Sequence, residues 1–416
     1  MIPSSIPIKW CLLGCAFIQP VVADSDFWEM PPIRYSDTVA NNALTQLAAD
    51  FASGAREIKG TSGLDRLRFV LHELRVPEES QVLVFSKTSH QNPLIHPKNP
   101  RSLYFSENAY VGYVPGGDIE VIIQDPQLGP VYYLIEATLR GLKIERDFTN
   151  CISCHATSNT ENVPGMLIRS VFPDKDGHPL LAKGTRLVNH ETPLAERWGG
   201  YYVTGRSTLP HLGNQFFAED VTPEAKPSHL PDLASTLDVS KYLRSTSDIV
   251  ALLVLEHQCK MHNLFNAATM NYRRALFMSQ VLNPKADPDS GSAGLVTDSM
   301  ADKIVNYLLF KGEADSGEDL EGNADFQRAF TARFPKTKDG RSLADFKLYE
   351  RLFKYRCSYM IYSEAFKSLP TQVKLSVLKK MHAALAGKDP TYAWLKASEC
   401  QKIDAILSET LPAWKE

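Results

Sequence analysis

The chain is 416 residues long, with 44% apolar and 22% charged residues and a formal net charge of −3. That is the composition of an ordinary globular protein with material for two cores, and the near balance of charge without a long basic run excludes nucleic acid as a partner. Seven cysteines in this length are too few for a scaffold built on disulfides.

Residues 1–23 read as a secretory signal. Lys9 supplies the positive flank, Trp10 to Ile18 a short apolar core, and Val21-Val22-Ala23 the small residues before a cut at Asp24. That core is too short to span a bilayer, and no later segment has the roughly 18 uncharged apolar residues a span needs. The expectation is an exported, periplasmic protein with no transmembrane span. Leu12-Leu13-Gly14-Cys15 offers the alternative of a lipoprotein, anchored at Cys15.

Apolar residues three and four apart predict helices over 41–55 and 64–74, the second ended by Pro77. From Gln81 the period becomes strand-like. Val82-Leu83-Val84-Phe85 is a short apolar run. Ile119 to Ile123 and Val131 to Ile135 flank turn residues 125–130 and predict a hairpin. Ser102 to Val114, with Tyr104, Phe105, Tyr110 and Tyr113, reads as aromatic packing within the same β-layer.

A polar turn, Asp147-Phe148-Thr149-Asn150, then leads into Cys151-Ile152-Ser153-Cys154-His155. This is C-x-x-C-H, the pattern of covalent c-type haem attachment. Two thiols three positions apart can each form a thioether with a vinyl group on one porphyrin edge, and the adjacent imidazole can bind the iron axially. Chance alone would produce the pattern in about 0.003 of chains of this composition. A redox dithiol with His155 incidental is the main rival. Zinc is disfavoured because no second C-x-x-C completes four ligands and His257 and His262 lie about a hundred residues away. The aromatic rings upstream gain a second role here, as candidate walls for a large flat apolar group.

Residues 185–205 carry His190, Arg186, Arg197, Trp198, Tyr201 and Tyr202, followed by His211. These suit iron binding or proton transfer, pairing with propionates, and stacking on a ring edge. Pro223, Pro227 and Pro231 mark a linker. Beyond it, a helix capped by Thr246 or Ser247 should run to about Gln280, with His257 and Met261 on one face and Gln258 and His262 on another. That helix is either core or a lid that supplies an iron ligand. Residues 283–297 read as a surface loop, and helices are expected at 301–309, 343–366, 372–385 and 398–408. Cys259, Cys357 and Cys400 allow one disulfide and a spare thiol, or three buried thiols.

Two blocks, Arg101 to Gly205 and the later E-H-Q-C-K-M-H-N with R-L-F-K-Y-R-C-S-Y-M-I-Y-S-E-A-F, are similar to exported bacterial cytochrome c domain-containing proteins. The resemblance implies one c-type haem at Cys151, Cys154 and His155. The expected fold class is α+β: a mixed, β-containing haem domain over 24–232, then an all-helical domain over 233–416. The expected function is periplasmic electron transfer with a redox partner protein or a small-molecule donor or acceptor. His155 is the proximal iron ligand, and His190 is the first distal candidate, ahead of Met166, His211 and the His257/Met261 pair. The alternative is a haem enzyme, a peroxidase or a converter of oxygen or nitrogen oxides, with an open sixth iron position. A third reading is a haem sensor whose helical half binds a partner. No G-x-S-x-G, H-E-x-x-H, P-loop or G-x-G-x-x-G occurs.

Overall fold

The computed structural model describes residues 24–415 apart from 59–61, 139–140, 286 and 289, so the expected signal sequence lies outside the described residues. Two N-terminal helices start where side chains satisfy free backbone donors. Asn42 accepts from the N–H groups of Leu44 and Thr45 ahead of α1 (Ala43–Ala52). Ser62 and Asp65 form a reciprocal capping box at α2 (Gly63–Glu73). Both helices bury their leucine stripes, as the spacing predicts.

The strand-like region forms one antiparallel sheet. Its strands are β1 (Val82–Val84), β2 (Arg101–Phe105), β3 (Ala109–Tyr113), β4 (Ile119–Asp125), β5 (Gly129–Thr138) and β6 (Gly141–Arg146). After the one-turn helix α3 (Ile152–His155) and the ribbon of β7 (Arg169–Val171) with β8 (Thr185–Leu187), β9 (Tyr201–Tyr202) completes it. The order is β6-β5-β4-β3-β2-β1-β9. The expected hairpin is the β4–β5 pair, closed at Asp125 opposite Gly129. β4 alternates strictly between buried and half-buried residues, so the two faces of the sheet have different destinations. One face carries Tyr113 and Tyr133 against the N-terminal helices, with Tyr133 bonded to Asn42. The other meets a long helix described below.

A second ribbon pairs β10 (Gly205–His211) with β11 (Lys226–Leu230). Then comes α4 (Ile249–Leu282), 34 residues long and buried on every side through most of its length. Its cap is Asp248, whose carboxylate accepts from Ala251 N–H, and not Thr246 or Ser247. The Ser247 hydroxyl is instead committed to the Tyr202 carbonyl and the Leu83 N–H, between β1 and β9. Next come α5 (Gly291–Leu308) and α6 (Ala324–Thr331). α5 starts inside the span expected to be loop, and it packs along α4.

The expectation of an all-helical C-terminal half is corrected. Where a helix was predicted over 343–366, β12 (Phe346–Tyr349) and β13 (Arg351–Phe353) form a hairpin. Leu348 and Glu350 take left-handed backbone angles that end any helix, and Phe346 pairs with Phe353 beside Phe330. After α7 (Glu364–Lys367), the expected α8 (Thr371–Leu385) and α9 (Ala397–Thr410) follow.

The protein is thus α+β. Among the described residues its apolar core is one continuous cluster from Phe27 to Trp414, with a smaller one around Phe85, Tyr202 and Leu233. The core therefore does not divide at 232–233: α4 lies on the sheet and joins both halves. No helix among the described residues is long and apolar enough to cross a membrane.

Candidate haem site

Asp147 builds the approach to the motif. Its carboxylate accepts from the N–H groups of Thr149 and Cys151 and from the Asn150 amide, which turns the chain sharply out of β6. α3 then projects Cys151, Cys154 and His155 into one cleft of about 510 Å³. Cys154 and Ser153 are exposed at its rim and Cys151 is half-buried. The two thiols are not joined to each other.

The inner face of the sheet makes the floor. Antiparallel partners share a face, so Val84, Arg101, Leu103, Tyr110, Gly112, Glu120, Ile122 and Tyr201 all point the same way, and all line the cleft. Gly112 has a steric reason to be glycine. A Cβ there would sit 2.5 Å from an Arg101 guanidinium nitrogen, so the missing side chain lets Arg101 lie across the floor to its ion pair with Glu120.

His155 is held by its own loop. Its Nδ1 lies 2.9 Å from the Gly165 carbonyl oxygen, and the Gly165 N–H donates to the His155 carbonyl at 2.8 Å. A carbonyl only accepts, so Nδ1 carries the proton and the Nε2 lone pair is free. Tyr132 donates to the same Gly165 oxygen at 2.8 Å and packs beside the imidazole. The loop is clamped in turn by Asn263 of α4. Met166 N–H donates to its Oδ1 at 2.7 Å, and its Nδ2 donates to the Met166 carbonyl at 2.8 Å. Burial holds His155 below the usual histidine range, and so neutral.

Burial, with Asp147 adding to it, pushes the Cys151 thiol up to about 12. The surroundings of Cys151 therefore do not favour the stabilised thiolate with which a redox dithiol attacks. Among the described residues no three His, Cys, Asp or Glu side chains converge on a metal ion. An iron held by His155 would need a porphyrin to supply its remaining ligands.

Comparison with protein-family models, with curated proteins and with solved structures returned no match.

Of the other expected residues, Tyr104, Tyr110, Met166 and Tyr201 line the cleft; Phe105, Tyr113, His190, His211, His257 and Met261 do not. The expectation of His190 as distal ligand meets a structure that places it elsewhere. Its Nδ1 lies 2.8 Å from His257 Nδ1, and its ring is stacked on Tyr307. His257 is also bonded to Ser358, and His211 to Ser228 and Gly213. Arg197 pairs with Glu256 in the core, where Trp198 also donates to Glu256, while Arg186 pairs with Glu196 at the surface. His190, Arg197 and Trp198 of the 185–205 stretch thus build a buried polar network on α4.

α4 does reach the cleft, through Leu255 and Cys259. At 100° per residue His257 stands about 200° round the helix from Leu255, on its far side. Cys259, Cys357 and Cys400 are buried free thiols. Residues that the sequence left unmarked are Lys87, His90, Arg169, Glu120 and Asn263. Lys87 and Arg169 line the cleft with no ion pair or side-chain hydrogen bond among the described residues. No local periodicity marks them, because their role comes from loops and strands distant in the chain.

Proposed function

We propose that the chain carries one covalent c-type haem in this cleft and works as an exported, periplasmic electron carrier. The observation that carries the proposal is the His155–Gly165 hydrogen bond. It fixes the tautomer with Nε2 free inside a cleft that also receives both cysteines of the C-x-x-C-H motif. The donor set suits the group. The volume falls within the roughly 300–1,000 Å³ of small-molecule sites. Leu103, Ile122, Ile168, Leu255 and the tyrosine rings give an apolar bed. Lys87, Arg101 and Arg169 against Glu120 leave a surplus of positive charge for two propionates.

Haem, when bound, supplies a one-electron iron couple. Cys151 and Cys154 would tether it and His155 would be its proximal ligand. The Gly165 carbonyl strengthens His155 as a donor by accepting its Nδ1 proton. The sheet and α4 keep water from the inner side, while Cys154 at the rim leaves one edge within reach of a redox partner protein or a small donor or acceptor. The expected signal at residues 1–23 fits the compartment in which such attachment takes place.

The test is expression of the full chain with c-type maturation, followed by haem staining after denaturation. Covalent stain in the wild type that is lost or sharply reduced in Cys154→Ala supports the proposal. A folded wild type with no covalent haem refutes it.

A further inference from the structure

Among the described residues the cleft is lined by one histidine besides His155, and it comes from a loop that the motif does not reach. We propose that His90 is the sixth, distal ligand of the iron held by His155, an inference that rests on the haem proposal above.

Position removes the competing ligands. His190, His211 and His257 are buried away from the cleft, His190 bonded to His257 through Nδ1, His257 also to Ser358, and His211 to Ser228 and Gly213, and none lines the cleft. His262 is turned to Tyr110. The Gln258 amide, oriented by its bond to the Ser106 carbonyl, donates to the Tyr110 hydroxyl, so that hydroxyl donates to His262 Nδ1 at 2.7 Å. Met166 lines the cleft but directly follows Gly165, whose oxygen holds the Nδ1 edge of His155. Nε2 is the opposite edge of the ring, so the Met166 backbone, clamped by Asn263, is held beside the Nδ1 edge and away from the Nε2 that would bind iron. Cys259 is a fully buried thiol at the α4 wall.

His90 has the properties the others lack. It is exposed on the cleft, and among the described residues its ring makes no hydrogen bond or ion pair. Its two neighbours are pinned to β4, the strand that crosses the floor. Ser89 donates to Glu120 at 3.1 Å; Gln91 donates to Glu120 and to the Asp118 carbonyl, each at 3.1 Å, and accepts from Asp118 N–H at 2.8 Å. The loop backbone is thereby tied to the site on both sides of a free imidazole. Such anchoring holds a ligand near its target with little left to order on binding. Two histidines on one iron would give a low-spin centre of low potential.

The test uses the full chain matured with covalent haem, whose staining is measured independently of spin state. The wild type should be low-spin in both oxidation states and unmoved by carbon monoxide. His90→Ala, a change at an exposed side chain, should keep the covalent haem, become high-spin and bind carbon monoxide, and added imidazole should restore the low-spin spectrum. His90→Met should remain low-spin with a higher potential. A low-spin spectrum unchanged in His90→Ala overturns the assignment while leaving the haem proposal standing. A high-spin wild type that binds carbon monoxide also overturns it, in favour of an open iron. Absence of covalent haem from the wild type overturns both.

Discussion

Asn263→Ala tests how the proximal loop is held. The Asn263 amide makes both of its bonds to one residue, accepting from Met166 N–H at 2.7 Å and donating to the Met166 carbonyl at 2.8 Å. Asn263 and Met166 are each 3% exposed. Truncation therefore strands a buried donor and a buried acceptor, each costing about 1–3 kcal/mol when unmatched. Allowing for partial relaxation toward the space left beside Gly165, the expected loss is about 2–4 kcal/mol. Urea unfolding of the haem-free chain, followed by tryptophan fluorescence, measures it as a fall in midpoint at unchanged slope. A loss under about 1 kcal/mol would refute the argument that these two bonds clamp the loop. In the haem-loaded protein the same variant loosens the Gly165 carbonyl and so weakens the His155 donor. A tenfold loss of ferric over ferrous stabilisation corresponds to about 59 mV for one electron, so the potential should rise by tens of millivolts.

Three further outcomes are expected. Gly112→Val places a branched side chain against the Arg101 guanidinium on the cleft floor. The fold should survive, because the displaced group is the end of a flexible side chain, while covalent haem yield should fall; equal yield in matched preparations counts against the floor as the haem bed. Arg197→Met leaves Glu256 buried without its charge partner, with only Trp198 still donating to it, and should cost about 3–5 kcal/mol in urea. Adding Glu256→Gln, which keeps an acceptor for Trp198, should recover part of that loss, and no recovery would show that Arg197 acts through packing alone. Burial lowers the folded-state pKa of His211 to about 4. The unfolded chain then binds the extra proton as pH falls below about 6.5, so the stability His211 contributes is complete above that pH and is lost toward pH 4, at about 1.4 kcal/mol per unit. The stability difference between wild type and His211→Gln should shrink by about 3 kcal/mol over that window, and a difference that stays constant with pH would show that His211 is not held neutral.

The elements that were legible in the sequence are those whose signal is local. The leucine stripes of α1 and α2, the β4–β5 hairpin around its turn residues, and α8 and α9 form where periodicity predicts, because period and capping act over a few residues. The C-x-x-C-H motif is a signal of the same local kind, because the covalent reach proposed for it spans five consecutive positions. Local signal failed where long-range pairing decided. The 343–366 stretch carries apolar residues that suit a helix, yet Phe346 and Phe353 pair across a hairpin against the Phe330 cluster. The start of α5 inside a Pro- and Gly-containing stretch was missed because its packing on α4 outweighs the weak helix propensity of its first residues.

Ligand assignment shows the same division. Sequence by itself supplied the C-x-x-C-H spacing on which the proposed attachment at Cys151, Cys154 and His155 rests, and it offered several histidines and a methionine for the remaining role. Only the tertiary structure decided which of them share a cleft. His190 is close to the motif in the chain but is drawn into a buried cluster with His257 and Tyr307. His90, 65 residues upstream of His155 in the numbering, is carried to the cleft by the anchoring of Ser89 and Gln91 on β4. The physical reason is that a side chain's chemistry belongs to its residue type, whereas its destination depends on strand register, on helix rotation, and on which backbone groups distant in the chain need a partner.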